Sequence, residues 1–366
     1  MRKTVFLLLI LILAASCSFF QQGEDVSSKG AVFSLEKSDE IVYRGEIAGE
    51  IRRNEKYIYF STWEGILYCV DVNLRKISWA FKAGSSISFP FLFSGNIYFY
   101  DEQNTIYCLD LSGREVWRKK SEKGISSHLG VAQGMVVFAT SDGGITALNA
   151  FEGKVVWKFE GGGSSSPCPV FWDSLLIFSS GEGRLFFLNH GGKPINTFDA
   201  GVRAGSPLFI DGNFLYFGST NGYFSCFNLI RRKLRWRADV GGKVVVPPLF
   251  DAKRIFIISW DSVLFALHKK SGSLLWWRTL PGRSYFKPAM VDGKIVVTSL
   301  SSKLVCFEAE SGRKLGDYRL EREARSNPVW LNPYLVVSVF EPEQERGKLV
   351  FLKKTLPPNS RARGRR

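Results

Sequence analysis

Long apolar runs are scarce in this 366-residue chain, and the scarcity limits what it can be. The one unbroken stretch, Val5 to Leu13, is too short to cross about 30 Å of hydrocarbon, which needs roughly 20 apolar residues. No segment holds a helical period between capping residues, so helical solenoids are excluded. Histidine is rare: His128, His190 and His268 fall at unrelated positions and form no ligand set. The six cysteines leave five after Cys17, namely Cys69, Cys108, Cys168, Cys226 and Cys306, an odd number spread too widely for a disulfide framework. A Gly-Lys-Ser/Thr phosphate loop is missing, and Gly161-Gly162-Gly163 precedes no helix, so it reads as a turn. The Gly-x-Ser-x-Gly elbow of serine hydrolases is also absent. Acidic residues are few, 34 against 49 Lys and Arg, for a formal charge of +15. Such an excess favours acidic partners or anionic surfaces.

What is present at the N-terminus is a secretion signal: Arg2 and Lys3, the apolar run, then the small residues Ala14, Ala15 and Ser16. Removing residues 1–16 takes two positive charges and leaves +13. An exported chain is not expected to meet nucleic acid, the usual partner of a basic protein. The segment Leu13-Ala14-Ala15-Ser16-Cys17 resembles the lipobox of bacterial lipoproteins, which are cut before a cysteine that receives the lipid. It departs from that pattern at Ala14, where leucine is usual, so ordinary signal-peptidase cleavage is the alternative. By this reading Cys17 is the lipidation site, residues 17–29 are a polar tether, and several acyl chains on one cysteine hold the domain at a membrane. Residues 356–366 carry Arg361, Arg363, Arg365 and Arg366 and read as a solvated, disordered basic tail.

Between the ends the chain repeats. One unit runs Ile145-Thr146-Ala147-Leu148-Asn149, a turn to Gly153, and Lys154-Val155-Val156-Trp157; another runs Leu264 to His268, a turn to Gly272, and Ser273 to Trp276. The terminal position recurs as Tyr43, Trp79, Trp117, Trp157, Asn196, Trp236, Trp276 and Gly316, at intervals of 36, 38, 40, 39, 40, 40 and 40 residues. Periods near 40 built only of short strands and turns belong to β-propellers, each repeat a four-stranded blade. One unit shows all four strands: from Pro207 to Ile210, from Phe214 to Gly218, from Tyr223 to Phe227 and from Leu234 to Ala238. Asp-Gly and Asn-Gly pairs mark its hairpin turns.

Cys69, Cys108, Cys226 and Cys306 share the third-strand position held elsewhere by Ala147 and Ala266. A small buried slot explains both residue types. The recurrent tryptophans belong on the outermost strand, where they can fill the gap between blades. The first and last units are incomplete in complementary ways. Ser34–Tyr43 parallels Cys108–Trp117, predicting a turn from third to fourth strand, while the C-terminal unit offers strands at 329–331, 335–340 and 349–352 and no fourth. Pairing the two closes an all-β, eight-bladed propeller over residues 30–355 and removes an exposed sheet edge.

The succession of Ala147, Asn149, Gly153-Lys154 and Trp157 resembles the repeat of the PQQ-like, or quinoprotein-type, propeller family, over essentially the whole of residues 30–355. A WD-type propeller fits less well, since the two Trp-Asp pairs, Trp172-Asp173 and Trp260-Asp261, fall at different places in the repeat and the latter sits in a turn. The resemblance implies one of two branches. Quinoprotein dehydrogenases are much longer and carry adjacent cysteines near the cofactor and carboxylates that hold calcium, features this chain lacks. The other branch comprises outer-membrane lipoproteins of β-barrel assembly, similar in length and architecture. It implies a non-catalytic scaffold without cofactor or metal. Such a scaffold is lipid-anchored at the periplasmic side of the outer membrane and binds protein partners of the β-barrel assembly complex. The alternatives are a quinone-dependent enzyme and a surface-exposed binding or sensor lipoprotein.

Overall fold

The computed structural model describes residues 33–161, 168–201 and 203–355. Cys17, the signal and the tether therefore lie outside the described residues, as do the basic tail and Gly162-Gly163. The described chain forms eight antiparallel four-stranded sheets. Seven are built from consecutive strands, and blades 1 to 7 follow one another along the sequence. First strands of neighbouring blades touch, which puts them around the axis.

The repeated residues each have a mechanical reason. The Asx residue after the third strand accepts the backbone N–H groups of the turn that follows: Asp71 Oδ1 takes those of Asn73 and Leu74 at 2.9 Å, and Asn149 Oδ1 those of Phe151 and Glu152 at 2.8 and 3.0 Å. The small third-strand residue lies directly opposite the fourth-strand aromatic, as in Cys69 with Trp79, Ala147 with Trp157 and Cys226 with Trp236. In blade 7 Cys306 faces Gly316, and in blade 4 both sizes are reversed: Phe187 faces Asn196. In each of blades 1 to 7 the register slips by one residue immediately after that pair. A bulge there adds twist and spoils the outer edge as a template for another strand.

Tryptophan then ties five of the blades to the next. The Trp117 indole N–H donates to Ala150 O at 2.9 Å, Trp157 to His190 O at 2.8 Å and Trp79 to Leu111 O at 3.0 Å; Trp236 and Trp276 do likewise to Lys269 and Glu310. The ring lies over the glycine of that neighbouring turn. A Cβ on Gly113 would come within 2.6 Å of Trp79, and one on Gly153 within 2.7 Å of Trp117. Where the preceding blade offers Asn196, the corresponding turn residue is Arg232, still at positive φ but no longer glycine. Arg75, in the turn of blade 1, follows the same rule after Tyr43.

A repeated serine fixes the lead-in to the first strand. Ser127 Oγ accepts the N–H of Ala139 at 2.9 Å, Ser206 that of Gly218 at 2.7 Å and Ser326 that of Ser338 at 2.9 Å. The apolar core is divided among the blade interfaces. One cluster joins Tyr59, Leu67 and Cys69 of blade 1 to Ile97, Phe99 and Leu109 of blade 2, and comparable clusters sit between the other pairs. Second strands such as Ile58-Tyr59-Phe60 are buried on both faces, because blades cover them from both sides.

Blade 8 closes the ring as expected: Ser34–Arg44 pairs with Arg346–Thr355 beside Tyr334–Glu341 and Val329–Leu331. The N-terminal segment differs from expectation in one respect. Ser34–Arg44 is one continuous fourth strand with a bulge between Lys37 and Asp39, and there is no turn. The partner Arg346–Thr355 is ten residues long, so residues 34–37 find a ladder where a shorter third strand would have left them in a turn. Tyr43 takes the tryptophan position, packing on Phe60 and Tyr68 of blade 1 with ring centroids at 4.6 and 5.6 Å. Across the same seam Asn327 accepts the N–H of Ile51 at 2.7 Å and donates to its carbonyl at 3.2 Å.

Candidate binding site at the channel mouth

The propeller has two unlike ends. Hairpin turns between strands one and two and between three and four lie at one end. Blade-to-blade connections meet the turns between strands two and three at the other, through bridges such as Ile47 to Thr62, Ile87 to Asp101 and Val244 to Ser259. The second end opens into the central channel, a cavity of about 660 Å³ with side chains contributed by all eight blades.

Strand register shows which positions line it. Arg52, Phe91, Val170 and Phe209 occupy the same place in their blades, each opposite the third residue of the second strand. Two residues earlier in each blade come Glu50, Phe89, His128, Cys168, Pro207, Pro247, Lys287 and Asn327. Other positions of the repeat, such as the lead-in serine and the fourth-strand tryptophan, recur in most blades for a mechanical reason. Here eight equivalent positions hold seven residue types, so the repeat geometry does not dictate them.

The charges in this ring are unevenly matched. Arg52 Nη2 bonds Glu50 Oε2 at 3.1 Å, and its guanidinium lies 5.0 Å from the Phe89 ring and 5.6 Å from Phe91. Its Nε is buried without an acceptor among the described residues, a condition that costs about 1–3 kcal/mol or more for a charged group. The Lys287 ammonium has no carboxylate or hydrogen-bond acceptor among the described residues and rests 5.3 Å from the Phe209 ring. Burial pushes its pKa down, opposed by the Glu50 charge and reinforced by Arg52. His128 packs against Phe89 with ring centroids 4.5 Å apart and the planes tilted by 52°, and burial likewise lowers its pKa, which keeps the imidazole neutral near neutral pH. Burial drives the Cys168 thiol up to about 12 despite Arg52, which disfavours its thiolate; its S–H donates to Leu129 O at 3.2 Å.

Around the mouth the surface is aromatic and cationic. Trp63 is 56% exposed. Trp260 meets Tyr285 edge-on at 5.1 Å, with Lys243 and Arg283 at 5.6 and 5.5 Å from its ring. Arg325 bridges to Glu46 at 3.2 Å across the seam.

Of the histidines and cysteines singled out by sequence, His128 and Cys168 reach this site. His190 and His268 belong to the opposite end, where His268 Nδ1 contacts Ser271 Oγ. Cys69, Cys108, Cys226 and Cys306 are buried in separate blades, and burial raises their thiols. Among the described residues no three His, Cys, Asp or Glu side chains cluster to hold a metal ion. Arg52, Glu50 and Lys287 carry no signal within their own blades. Aligning the eight first-strand lead-ins exposes them as the variable column of an otherwise regular repeat.

The sequence matches the family model described as outer membrane protein assembly factor BamB over residues 63–201 and 181–351. The outer membrane protein assembly factor BamB of Yersinia pestis is 22% identical over 360 residues, covering 86% of this chain and 90% of that protein. Its namesake from Shewanella oneidensis is 22% identical over 306 residues, 73% of this chain and 76% of that one. Among solved structures, BamB from Moraxella catarrhalis superposes with a TM-score of 0.71 at 15% identity, covering 87% of this chain and 98% of its own. A europium-containing methanol dehydrogenase superposes at 0.69 with 11% identity, covering 87% and 93%. At those identities the structural likenesses establish the propeller and nothing finer.

Proposed function

This chain belongs to the BamB family of outer membrane protein assembly factors, and from that premise we propose that it is a non-catalytic, lipid-anchored scaffold of outer-membrane β-barrel assembly. The observation that carries the reading is the family match, which runs through nearly the whole propeller, from residue 63 to residue 351. The relatives in that family are named as assembly factors. The surface supports it: exposed Trp63, Trp260 and Tyr285, interleaved with Lys243 and Arg283, have the aromatic and cationic composition of protein-binding hot spots. The signal-like N-terminus and Cys17 support export and lipidation at the periplasmic face of the outer membrane.

Affinity capture of the full chain from detergent-solubilised host membranes tests the proposal. Co-recovery of outer-membrane β-barrel assembly components is the expected result. Quantitative recovery of the chain from membranes without any of them overturns it. Labelling with a clickable fatty-acid analogue tests the anchor: the wild-type chain takes up label and fractionates with membranes, and Cys17→Ser does neither. Equal labelling of both would remove Cys17 as the lipid site.

A further inference from the structure

We infer that the channel mouth is a binding site for a monoanionic carboxylate carried on an apolar or aromatic body, seated between Arg52 and Lys287. Three observations converge on it. Of the charged side chains that line the cavity, Arg52 is paired with Glu50 and Arg325 with Glu46, so Lys287 leaves the mouth one positive charge in excess. The donors are incompletely used: Arg52 Nε lacks an acceptor and the Lys287 ammonium faces only an aromatic ring. The walls are apolar, formed by Phe89, Phe91, Phe209, Phe286 and Val245 with Trp63 at the rim.

A monoanion cancels the excess charge, whereas a dianion such as phosphate would leave a negative charge against phenylalanine rings. The cavity of about 660 Å³ has the size of ordinary small-ligand sites and admits a side chain or ring together with its carboxylate. Two sources present this chemistry: the carboxyl terminus of a polypeptide ending in an aromatic residue, and a free aromatic acid. The site stands apart from the scaffold reading, which membrane capture tests, because it is read by ligand binding to the isolated protein.

The experiment is calorimetric titration of the detergent-solubilised full chain with three probes: a short peptide ending in phenylalanine with a free carboxylate, its C-terminal amide, and 3-phenylpropionate. The free-acid peptide binds saturably and the amide at least about tenfold more weakly, since the amide keeps the shape and loses the charge-assisted hydrogen bonds. Arg52→Gln and Lys287→Gln each weaken the acid by about tenfold, and Lys287→Arg retains it. Phenylpropionate binding as tightly as the peptide assigns the site to a free acid; tighter peptide binding assigns it to a chain terminus. The inference is overturned if neither acid binds saturably, if the amide binds as well as the acid, or if both glutamine variants bind like the wild type. Should a variant fail to fold, the acid and amide comparison on the unaltered protein decides alone.

Discussion

Gly95 and Gly153 look alike in the backbone, with φ of +78° and +68°, and differ in what stands above them. Nothing lies within 4 Å of a Cβ on Gly95, whereas on Gly153 it would meet the Trp117 indole at 2.7 Å. Gly95→Ala is therefore expected to cost only the left-handed strain, about 1–2 kcal/mol. Gly153→Ala adds about 1–3 kcal/mol of overpacking as the indole is pushed off its neighbour. Urea unfolding of the two variants side by side measures the difference, and equal destabilisation would mean that the ring does not rest on that glycine. This pairing was legible in the sequence only in part. The tryptophan and glycine both recur, but their partnership spans two blades. The informative case is the defect, where Asn196 in one blade goes with Arg232 in the next. Glu50, Arg52 and Lys287 carried no signal for the opposite reason: they do not repeat, and a period draws attention away from positions that vary.

At the scale of the element, the closing blade is held by charge as well as by its ladder. Glu341, half-buried at the end of its strand, is engaged by Lys348 at 2.7 Å and Arg346 at 2.6 Å. Those two cations, Lys348 foremost, hold its carboxyl down to about 2. A carboxyl depressed in the folded state contributes stability above the unfolded value near 4.5 and loses it as the pH falls toward 2. Melting temperatures of wild type and Glu341→Gln are thus expected to differ above pH 5 and to converge toward pH 2. A gap that stays constant across that range would show that the ion pair is not the source. The N-terminal strand shows the limit of reading elements one by one. Its composition parallels a turn segment in blade 2, yet the ten-residue partner Arg346–Thr355 extends the ladder through Ser34. The partner's length, 300 residues away in sequence, decides the outcome.

For the whole molecule, closure depends on one strand that arrives first and pairs last. A chain lacking residues 33–44 would expose the edge of Arg346–Thr355 and remove Tyr43 from the interface with blade 1. The expected result is a lowered melting temperature and self-association by light scattering, both reversed by adding a synthetic peptide of residues 33–44. A truncated protein that stays monomeric with unchanged melting would deny the strand this role. The eightfold period and the complementary ends were readable because a propeller writes one constraint eight times and must satisfy it at the seam. The mouth chemistry is written once.

Ser34 pairs with Thr355 at the end of blade 8 where Tyr334 begins its strand, opposite the mouth. A pull at Ser34 directed along the strand axis would load the ten paired positions between Ser34 and Arg44 together in shear, where a pull across the sheet would unzip them one by one. The strand that closes the ring is thus also the one that would carry the load of the anchor proposed at Cys17.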